Sequence, residues 1–269
     1  MEILTKNNGQ VVKFSDLKWE NVNGCKMAKP IISGVNSINI TCIVVNIPSG
    51  GKWESCEIGY SNEVIAVNFL GEGTAMVEDI ETDFSKSSTL YSPTGTNYSI
   101  RADKGEDLRI YIWQSKLTEN SKISKKPLLF NNLYNDETVF KGFKGTNPNQ
   151  VNKNPANMNF LFWPGTGCGH LSLHCGIQEP GQNFGVHTHP YSEELFIGVE
   201  GVGQVHLDGN WIDFEAGDIL YSPEKIYHGT RNPDTSENSK NFVTCGGPIP
   251  FDENFYLMAN VSPEVKEYY

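Results

Sequence analysis

The sequence predicts an all-β fold built from two tandem β-domains. Short segments rich in β-branched and aromatic residues recur along the chain, such as INITCIVV at residues 38–45 and LRIYIW at residues 108–113. Gly, Pro, Asn and Asp separate these segments, as expected for strands that are joined by tight turns. Regular short strands of this kind are typical of a sandwich or a barrel.

An internal repeat indicates that there are two domains of the same kind. The run GYSNEVIAV aligns with PYSEELFIGV, which places Glu63 on Glu194. Further along, LYSP recurs at residues 90–93 and 220–223, at an offset that is one residue shorter. A single insertion in the intervening hairpin would produce this difference. Order and identity within the chain therefore predict two tandem copies of one β-domain.

The stretch between the two copies has the composition of a linker. Residues 115–159 are rich in Asn, Lys, Ser and Pro. We therefore predict an N-terminal domain at residues 1–125 and a C-terminal domain at residues 126–269. With 269 residues, of which 38% are hydrophobic, the chain is long enough to bury a core in each domain.

Charge, apolar stretches and cysteine content indicate where the protein is located and which partners it lacks. The formal net charge of -11 argues against nucleic acid, because phosphate binding needs a basic surface. The first residues, MEILTKNNGQ, lack the features of a secretion signal, and no apolar stretch reaches transmembrane length. The six cysteines include no Cys-x-x-Cys pair, which is typical of reduced thiols. We expect a cytoplasmic protein with no nucleic-acid or membrane partner.

Residue types that bind metal ions are concentrated in the second copy. His187 and His189 are two residues apart in a β-forming segment, so their side chains project from the same face of one strand. Glu194 opens the returning strand, and His228 follows the Ser-Pro turn. Three nitrogens and one oxygen suit a divalent transition metal ion such as Mn, Fe, Ni or Zn better than Ca or Mg.

These residues belong to two spaced motifs, Gly181-x5-His187-x-His189-x4-Glu194-x6-Gly201 and Gly217-x5-Pro223-x4-His228-x3-Asn232. The motifs resemble those of the cupin superfamily, and all four ligand positions of that family are filled. Lys225 stands where the family usually has the glycine of a Pro-x-Gly turn, which affects the turn rather than the ligand set. With the repeat, the resemblance implies a bicupin: two tandem cupin (jelly-roll β-barrel) domains, with one divalent ion held in the C-terminal domain.

The first copy does not match the ligand set. By the alignment, Cys56, Ile58 and Tyr98 stand in the places of the three histidines, and Glu63 alone is retained. No histidine occurs before His170. We expect no metal ion in the N-terminal domain, which would serve as scaffold, dimer partner or lid. A soft metal held by the cysteine and the glutamate is the alternative.

A second group of potential ligands precedes the motifs. On a continuous strand, Cys168, His170 and His174 would share one face, which would allow a separate zinc site. The alternative is a polar strand face, with His174 lining the pocket of the metal centre.

The pocket around the metal ligands is predicted from strand alternation. Phe196 and Thr230 lie two residues from Glu194 and His228, so each points into the same cavity as its neighbouring ligand. The candidates for substrate binding are Phe184, Phe196, Thr230 and Tyr227. The candidates for proton transfer are Glu194, His174 and Tyr221.

Two chemistries fit such a centre. Four protein ligands around an ion that accepts five or six leave open positions, where a substrate with adjacent oxygens can chelate. The resemblance implies sugar-acid isomerases and aminohydrolases on one side and dioxygenases on the other. We predict a metal-dependent enzyme of the isomerase, lyase or hydrolase type that acts on a small polar metabolite, either sugar-like or a hydroxy or oxo acid. A dioxygenase and a non-catalytic metabolite- or sugar-binding protein are the alternatives.

The expected partners are a small-molecule substrate and a second copy of the chain. Paired β-barrels present sheet faces and free edges that another copy commonly covers. We therefore expect a homodimer.

Overall fold

The structure is a computed structural model, and it describes residues 8–55, 61–117, 124, 126–137, 139–140 and 154–252. In chain order its first strands are β1 (Gln10–Val12), β2 (Glu20–Val22), β3 (Cys25–Ile31), β4 (Ile40–Ile47), β5 (Lys52–Glu54), β6 (Glu63–Leu70), β7 (Gly73–Val77), β8 (Ile80–Asp83), β9 (Ser88–Ser92), β10 (Tyr98–Ala102) and β11 (Leu108–Ser115). The later strands are β12 (Phe130–Asn132), β13 (Val139–Phe140), β14 (Asn157–Phe162), β15 (Leu173–Gln178), β16 (Asn183–His187), β17 (Glu193–Glu200), β18 (Val202–Leu207), β19 (Asn210–Glu215), β20 (Ile219–Ser222), β21 (His228–Arg231) and β22 (Phe242–Ile249). Two short 3-10 helices occur at Phe14–Asp16 and Pro164–Thr166.

The chain forms two compact units. Unit 1 contains the described residues within Met1–Asp16, Asn135–Leu161 and Ser172–Glu264. Unit 2 contains those within Leu17–Tyr134 and Phe162–Leu171. These units differ from the predicted ranges, 1–125 and 126–269, chiefly in the first sixteen residues and in the segment before β15.

Each unit has two antiparallel sheets, one large and one small. In unit 2 the large sheet has the order β12-β9-β6-β11-β4-β3-β2, and the small sheet has the order β5-β10-β7-β8. Unit 1 carries the metal-ligand motifs. Its large sheet has the order β1-β20-β17-β22-β15-β14-β13, and its small sheet has the order β16-β21-β18-β19. Strand order thus repeats position by position, which confirms the all-β fold class and the tandem jelly-roll domains.

Strand register corrects one feature of the predicted alignment. Val64 lies opposite Ser92 on β9, and Glu194 lies opposite Ser222 on β20. Because the two serines belong to the repeated LYSP motif, the structural counterpart of Glu194 is Val64. The prediction that Glu63 corresponds to Glu194 is wrong by one residue, and one residue in a strand moves a side chain to the opposite face of the sheet.

Glu63 instead corresponds to Glu193, and both carboxylates bind a repeated tyrosine. The hydroxyl of Tyr221 donates to Glu193 Oε2 at 2.6 Å. In unit 2 the hydroxyl of Tyr91 donates to Glu63 Oε1. A Glu-Tyr pair between two neighbouring strands is therefore a structural feature of the repeat, separate from metal binding.

Glu63 also holds a chain segment of its own unit. Its carboxylate accepts hydrogen bonds from the backbone N–H groups of Gly169 at 2.6 Å, His170 at 2.8 Å and Leu171 at 2.9 Å. Burial raises the pKa of Glu63, while these bonds and the one from Tyr91 lower it. Glu63 thus acts as an anchor for residues 169–171 inside unit 2.

The interior of unit 2 is an apolar core. Val64 and Tyr98, which stand in the places of Glu194 and His228, are both buried in this core with Trp53 and Ile112. Cys56 and Ile58 lie outside the described residues, so their predicted correspondence to two histidine ligands stays a prediction. The described counterparts of the ligands are therefore core residues.

Across the described part of the chain, no helix combines the length and the apolar character that crossing a membrane requires.

Candidate metal centre

Three strands of unit 1 position the four predicted ligands. His187 ends β16 and lies directly opposite His228, the first residue of β21. The register of this strand pair shifts between Phe184 and His187, an irregularity that re-aims side chains at strand ends. His189 follows two residues later, and Glu194 lies near the start of the central strand β17. Antiparallel pairing thus brings together residues that are as far as 41 positions apart, since the cluster runs from 187 to 228.

The four side chains converge on one point. Glu194 Oε2 lies 2.5 Å from His228 Nε2, 3.1 Å from His189 Nε2 and 3.7 Å from His187 Nε2. All four ligand atoms lie within 4.8 Å of one another, and all four residues are buried. The predicted ligand group is therefore assembled in the fold.

The outer nitrogen of each imidazole is held by an acceptor. His187 Nδ1 lies 2.8 Å from the carbonyl of Gly185, and His228 Nδ1 lies 2.9 Å from the carbonyl of Ile226 and 2.9 Å from Ser222 Oγ. A hydrogen on Nδ1 leaves the lone pair on Nε2, which is the atom that faces Glu194. Such bonds to the outer nitrogen fix the tautomer and the ring orientation of metal-binding histidines.

The third outer contact involves a residue that sequence reasoning missed. His189 Nδ1 lies 2.8 Å from Asp252 Oδ2, and both side chains are buried. Asp252 is 63 residues beyond His189 and belongs to neither motif. No spacing rule pointed to it, because only the path of the chain after β22 brings it to the centre.

The electrostatics of the cluster follow from its burial and its close contacts. Burial lowers the pKa of His187 to about 4, and His228 acts in the same direction. Burial also acts to lower the pKa of His189, but its bonds to Asp252 and Glu194 outweigh this effect and raise the pKa to about 9. Burial acts to raise the pKa of Glu194, whereas the three imidazoles hold that pKa well below its ordinary range.

This donor set fits a divalent transition metal ion. With ligand bonds of about 2.0 to 2.2 Å, two ligand atoms on opposite sides of an ion are roughly 4.2 Å from each other. This separation is close to the 4.8 Å within which the four ligand atoms lie. The ionised side chains of Glu194 and Asp252 together carry two negative charges, which match the two positive charges of such an ion. Three imidazoles and a single carboxylate also favour Mn, Fe, Ni or Zn over Ca.

A pocket opens beside the centre, entirely within unit 1. It has an empty volume of about 410 Å³, including its mouth. The residues that line it are Met158, His174, Gly176, Phe184, His187, Glu194, Phe196, His228, Gly229, Thr230, Thr244, Cys245 and Gly246. The three pocket-lining ligands therefore stand at a concave and mainly apolar wall.

Four of the predicted pocket residues line this cavity. Phe184, Phe196, Thr230 and His174 are all among its walls. Burial lowers the pKa of His174 to about 3, and its ring packs on Phe160 with centroids 4.4 Å apart. The alternative of a separate zinc site on this strand does not form, because β15 begins at Leu173, after Cys168 and His170.

Two predicted residues are not brought to the pocket. Tyr221 is fully buried, and its hydroxyl is engaged with Glu193. Tyr227 is 42% exposed, and its carbonyl accepts a hydrogen bond from the backbone N–H of Asp208. Neither residue lines the cavity, so their predicted roles in proton transfer and substrate binding gain no support from their positions.

The register of unit 2 shows which described residues stand in the places of the pocket walls. The small residues Gly176, Thr244 and Gly246 of unit 1 correspond to Val45, Ile110 and Ile112 of unit 2. All three replacements are bulkier, and all three belong to the apolar core. At the equivalent described positions of unit 2, side chains thus occupy the space that is a cavity in unit 1.

Comparisons with known proteins agree with this fold and site. Residues 177–240 match the family model for the cupin domain, Cupin_2. A stretch of 56 residues is 41% identical to polyketide synthase CurC from Streptomyces cyaneus. That stretch is 21% of this chain and 36% of the relative, so the chain spans about a third of the length of that protein.

Among solved structures the likeness extends over nearly the whole chain. Protein Ylba from E. coli superposes with a TM-score of 0.69 at 15% identity, covering 93% of this chain and 94% of its own. A variant of oxalate decarboxylase from Bacillus subtilis superposes with a TM-score of 0.61 at 15% identity, covering 90% of this chain and 77% of its own. At this identity the likeness concerns the fold. Residues 177–240 are therefore a cupin domain, and the chain as a whole has the fold of two tandem cupin domains.

Proposed function

We propose that the C-terminal cupin domain is the active site of a metal-dependent enzyme that isomerises, cleaves or hydrolyses a small oxygen-bearing molecule without oxidising it. The observation that carries the proposal is the convergence of His187, His189, Glu194 and His228 beside a concave pocket. Four protein ligands leave one or two positions of a five- or six-coordinate ion for substrate oxygens. The pocket supplies the walls that a substrate held at those positions needs.

The chemistry divides between the ion and the chain. When bound, a divalent ion supplies Lewis acidity, which polarises a carbonyl and offsets the negative charge that develops when a neighbouring C–H bond is broken. His187, His189, Glu194 and His228 would hold that ion. The proton itself needs a group of the chain inside the pocket.

His174 is the proton acceptor that its position favours. It lines the pocket, it is 3% exposed, and its low pKa keeps the imidazole neutral at physiological pH. A neutral imidazole can accept a proton at a ring nitrogen, but a pKa far below the operating pH makes it a weak base, so this role rests on its position. Packing against Phe160 at 4.4 Å holds the ring in place for this transfer.

Aromatic walls limit the access of water. Phe184 and Phe196 are 4% and 6% exposed, and both line the cavity together with Met158. Exclusion of water strengthens the electrostatic interactions inside a site and protects reactive intermediates. The Bacillus subtilis protein is named a decarboxylase, which supports an enzymatic role for this fold by analogy alone.

The test is to load ion-free protein separately with Mn, Fe, Ni and Zn and to assay keto-sugars, uronates and diketones with and without O₂. We expect turnover without O₂, including with Zn, and we expect loss of turnover in a His228→Ala variant. A His174→Gln variant should keep the metal ion and lose most of its activity. His206→Ala, which changes a buried histidine outside the ligand group, is the matched control.

The same assay decides the alternatives. Turnover that needs both O₂ and a redox-active ion would contradict the proposal and establish a dioxygenase. Tight binding of these compounds to the metal-loaded protein without turnover under any condition would establish a binding protein instead.

A further inference from the structure

One wall of the metal pocket carries a hydroxyl group that no other described residue uses. Thr230 lines the pocket and is 4% exposed. Its Oγ1 is buried and has no hydrogen-bond partner in the described part of the chain. A buried hydroxyl without a partner lowers stability, so its presence beside a binding cavity points to a bond made with a ligand.

Strand geometry sets the distance between this hydroxyl and the metal centre. Thr230 lies two residues after His228 on β21, so both side chains face the pocket. Two residues of an extended strand span about 6.6 to 6.8 Å. A ligand that reaches from the ion to Thr230 therefore bridges roughly 7 Å, the length of a small ring with one substituent.

The fold does not require a threonine at this position. Thr230 lies opposite Phe184, and its counterpart in unit 2 is Ile100, which lies opposite Trp53. Ile100 belongs to the apolar core of unit 2. The hydroxyl is therefore specific to the repeat that has a pocket.

The described residues give the pocket no positive charge apart from that of a bound ion. None of the described residues that line it is Lys or Arg. His174, in the same wall, is neutral because burial lowers its pKa to about 3. An anionic group of a ligand at the Thr230 end would lose its hydration without gaining a cation, which is strongly unfavourable.

We propose that Thr230 sets the substrate specificity of this centre, by hydrogen bonding to an uncharged oxygen of a small molecule that chelates the ion through an adjacent pair of oxygens. The substrate class is then a neutral hydroxy-carbonyl compound, and carboxylates at the far end are rejected. This inference rests on the proposed function, because it assumes an ion with open positions in the same pocket.

Three hydroxypyranones test the proposal, because they chelate with the same oxygen pair and differ in one substituent. Allomaltol carries a methyl group, kojic acid carries a hydroxymethyl group, and comenic acid carries a carboxylate. Binding to the Zn-loaded full-length protein is measured by calorimetry. We expect kojic acid to bind about fivefold more tightly than allomaltol, the gain of one neutral hydrogen bond. Comenic acid should bind most weakly.

Variants of Thr230 assign the preference to its hydroxyl. Thr230→Val keeps the shape and should abolish the preference for kojic acid while leaving the affinity for allomaltol and the zinc content unchanged. Thr230→Ser should retain the preference. The melting temperature of Thr230→Val without probe should equal or exceed that of the wild type, because the unpartnered hydroxyl is gone. Thr230→Ala repeats the comparison with a smaller side chain.

The outcomes separate the two proposals. Equal binding of kojic acid and comenic acid, or an unchanged preference in both Thr230→Val and Thr230→Ala, overturns the specificity role while the metal centre stands. Failure of all three probes to bind a protein that retains zinc means that the ion has no open positions, and it overturns the proposed function itself.

Discussion

His189 Nδ1 lies 2.8 Å from Asp252 Oδ2, so the imidazole stands between two carboxylates, with Glu194 at 3.1 Å from its other nitrogen. The other two imidazoles use neutral acceptors at Nδ1. A carboxylate on the outer nitrogen makes the imidazole a stronger donor to a cation. Asp252 therefore gives His189 a role in metal affinity that the other two histidines do not share.

Measured above the pKa of His189, which is about 9 in the ion-free protein, Asp252→Asn should lower metal affinity by about 10- to 100-fold, the usual effect of losing such an outer contact. Competition of the protein with a chromophoric chelator for Zn measures the affinity. The absorption spectrum of the Co-loaded variant should also shift, because the ligand field of His189 changes. Asp83→Asn, on the exposed part of β8, is the matched control. An affinity equal to that of the wild type would remove Asp252 from the metal centre.

Metal binding should release about one proton per chain at neutral pH. The pKa of His189 is about 9 in the ion-free protein, so its imidazole is protonated at pH 7 and must lose that proton to bind an ion. His187, with a pKa of about 4, is already neutral. Apparent affinity should thus rise by roughly one log unit per pH unit between pH 6 and 8.

Calorimetry in buffers of different ionisation enthalpy counts the released protons directly. The Asp252→Asn variant should release fewer, because the acceptor that raises the pKa of His189 is weakened. Affinity that does not vary with pH in this range would contradict the assignment of His189.

Each chain should bind one transition metal ion. The counterparts of Glu194 and His228 in unit 2 are Val64 and Tyr98, which offer no comparable ligand set. Elemental analysis of protein purified without a polyhistidine tag should give one ion per chain, and the double variant His187→Ala/His228→Ala should have none. Two ions per chain would show a second site and contradict the prediction, and unchanged content in the double variant would show that the site lies elsewhere.

Glu63→Gln should destabilise the protein although Glu63 is not a metal ligand. The carboxylate oxygens now accept hydrogen bonds from the backbone N–H groups of Gly169, His170 and Leu171. The amide would place its own N–H₂ group against one or more of these donors. The expected loss is about 3 kcal/mol. This corresponds to a fall in melting temperature of roughly 6 to 12 °C.

Calorimetric melting of the Zn-loaded protein measures this effect. Glu54→Gln, at an exposed position of β5, should leave the melting temperature unchanged. Equal melting temperatures for both variants would mean that the anchor formed by Glu63 contributes little.

The homodimer stays a prediction from the sequence, as does the cytoplasmic location. Light scattering at micromolar protein concentration should give twice the chain mass of 30.0 kDa. A mass of 30.0 kDa under these conditions would rule the dimer out.

Local patterns were enough to predict the ligand group. Side-chain alternation predicted that His187 and His189 project together, although β16 ends at His187, and the spacing of the cupin-like motifs added Glu194 and His228. Phe184, Phe196, Thr230 and His174 were also predicted in the pocket that they line. Period-two alternation is a local property, so it can be read without knowing which strands pair.

Strand pairing decided the remaining features. Glu63 matches Glu194 in the aligned sequences, yet the register places Val64 there, because identity between two strings does not fix which residues lie opposite one another. Tyr221 was a candidate for proton transfer until its partner, Glu193, was known.

The sequence by itself determined the all-β repeat, because strand and turn patterns are local, and the motif spacing shared with the cupins pointed to the four clustered residues. Only the tertiary structure decided that Asp252 holds His189 and that no described residue bonds to the Thr230 hydroxyl in the pocket. It also decided that, at the described positions of unit 2, core side chains occupy the space that is a pocket in unit 1. These features depend on which distant segments meet and on the volume left between them. Chain folding sets both of these, and no local pattern encodes them.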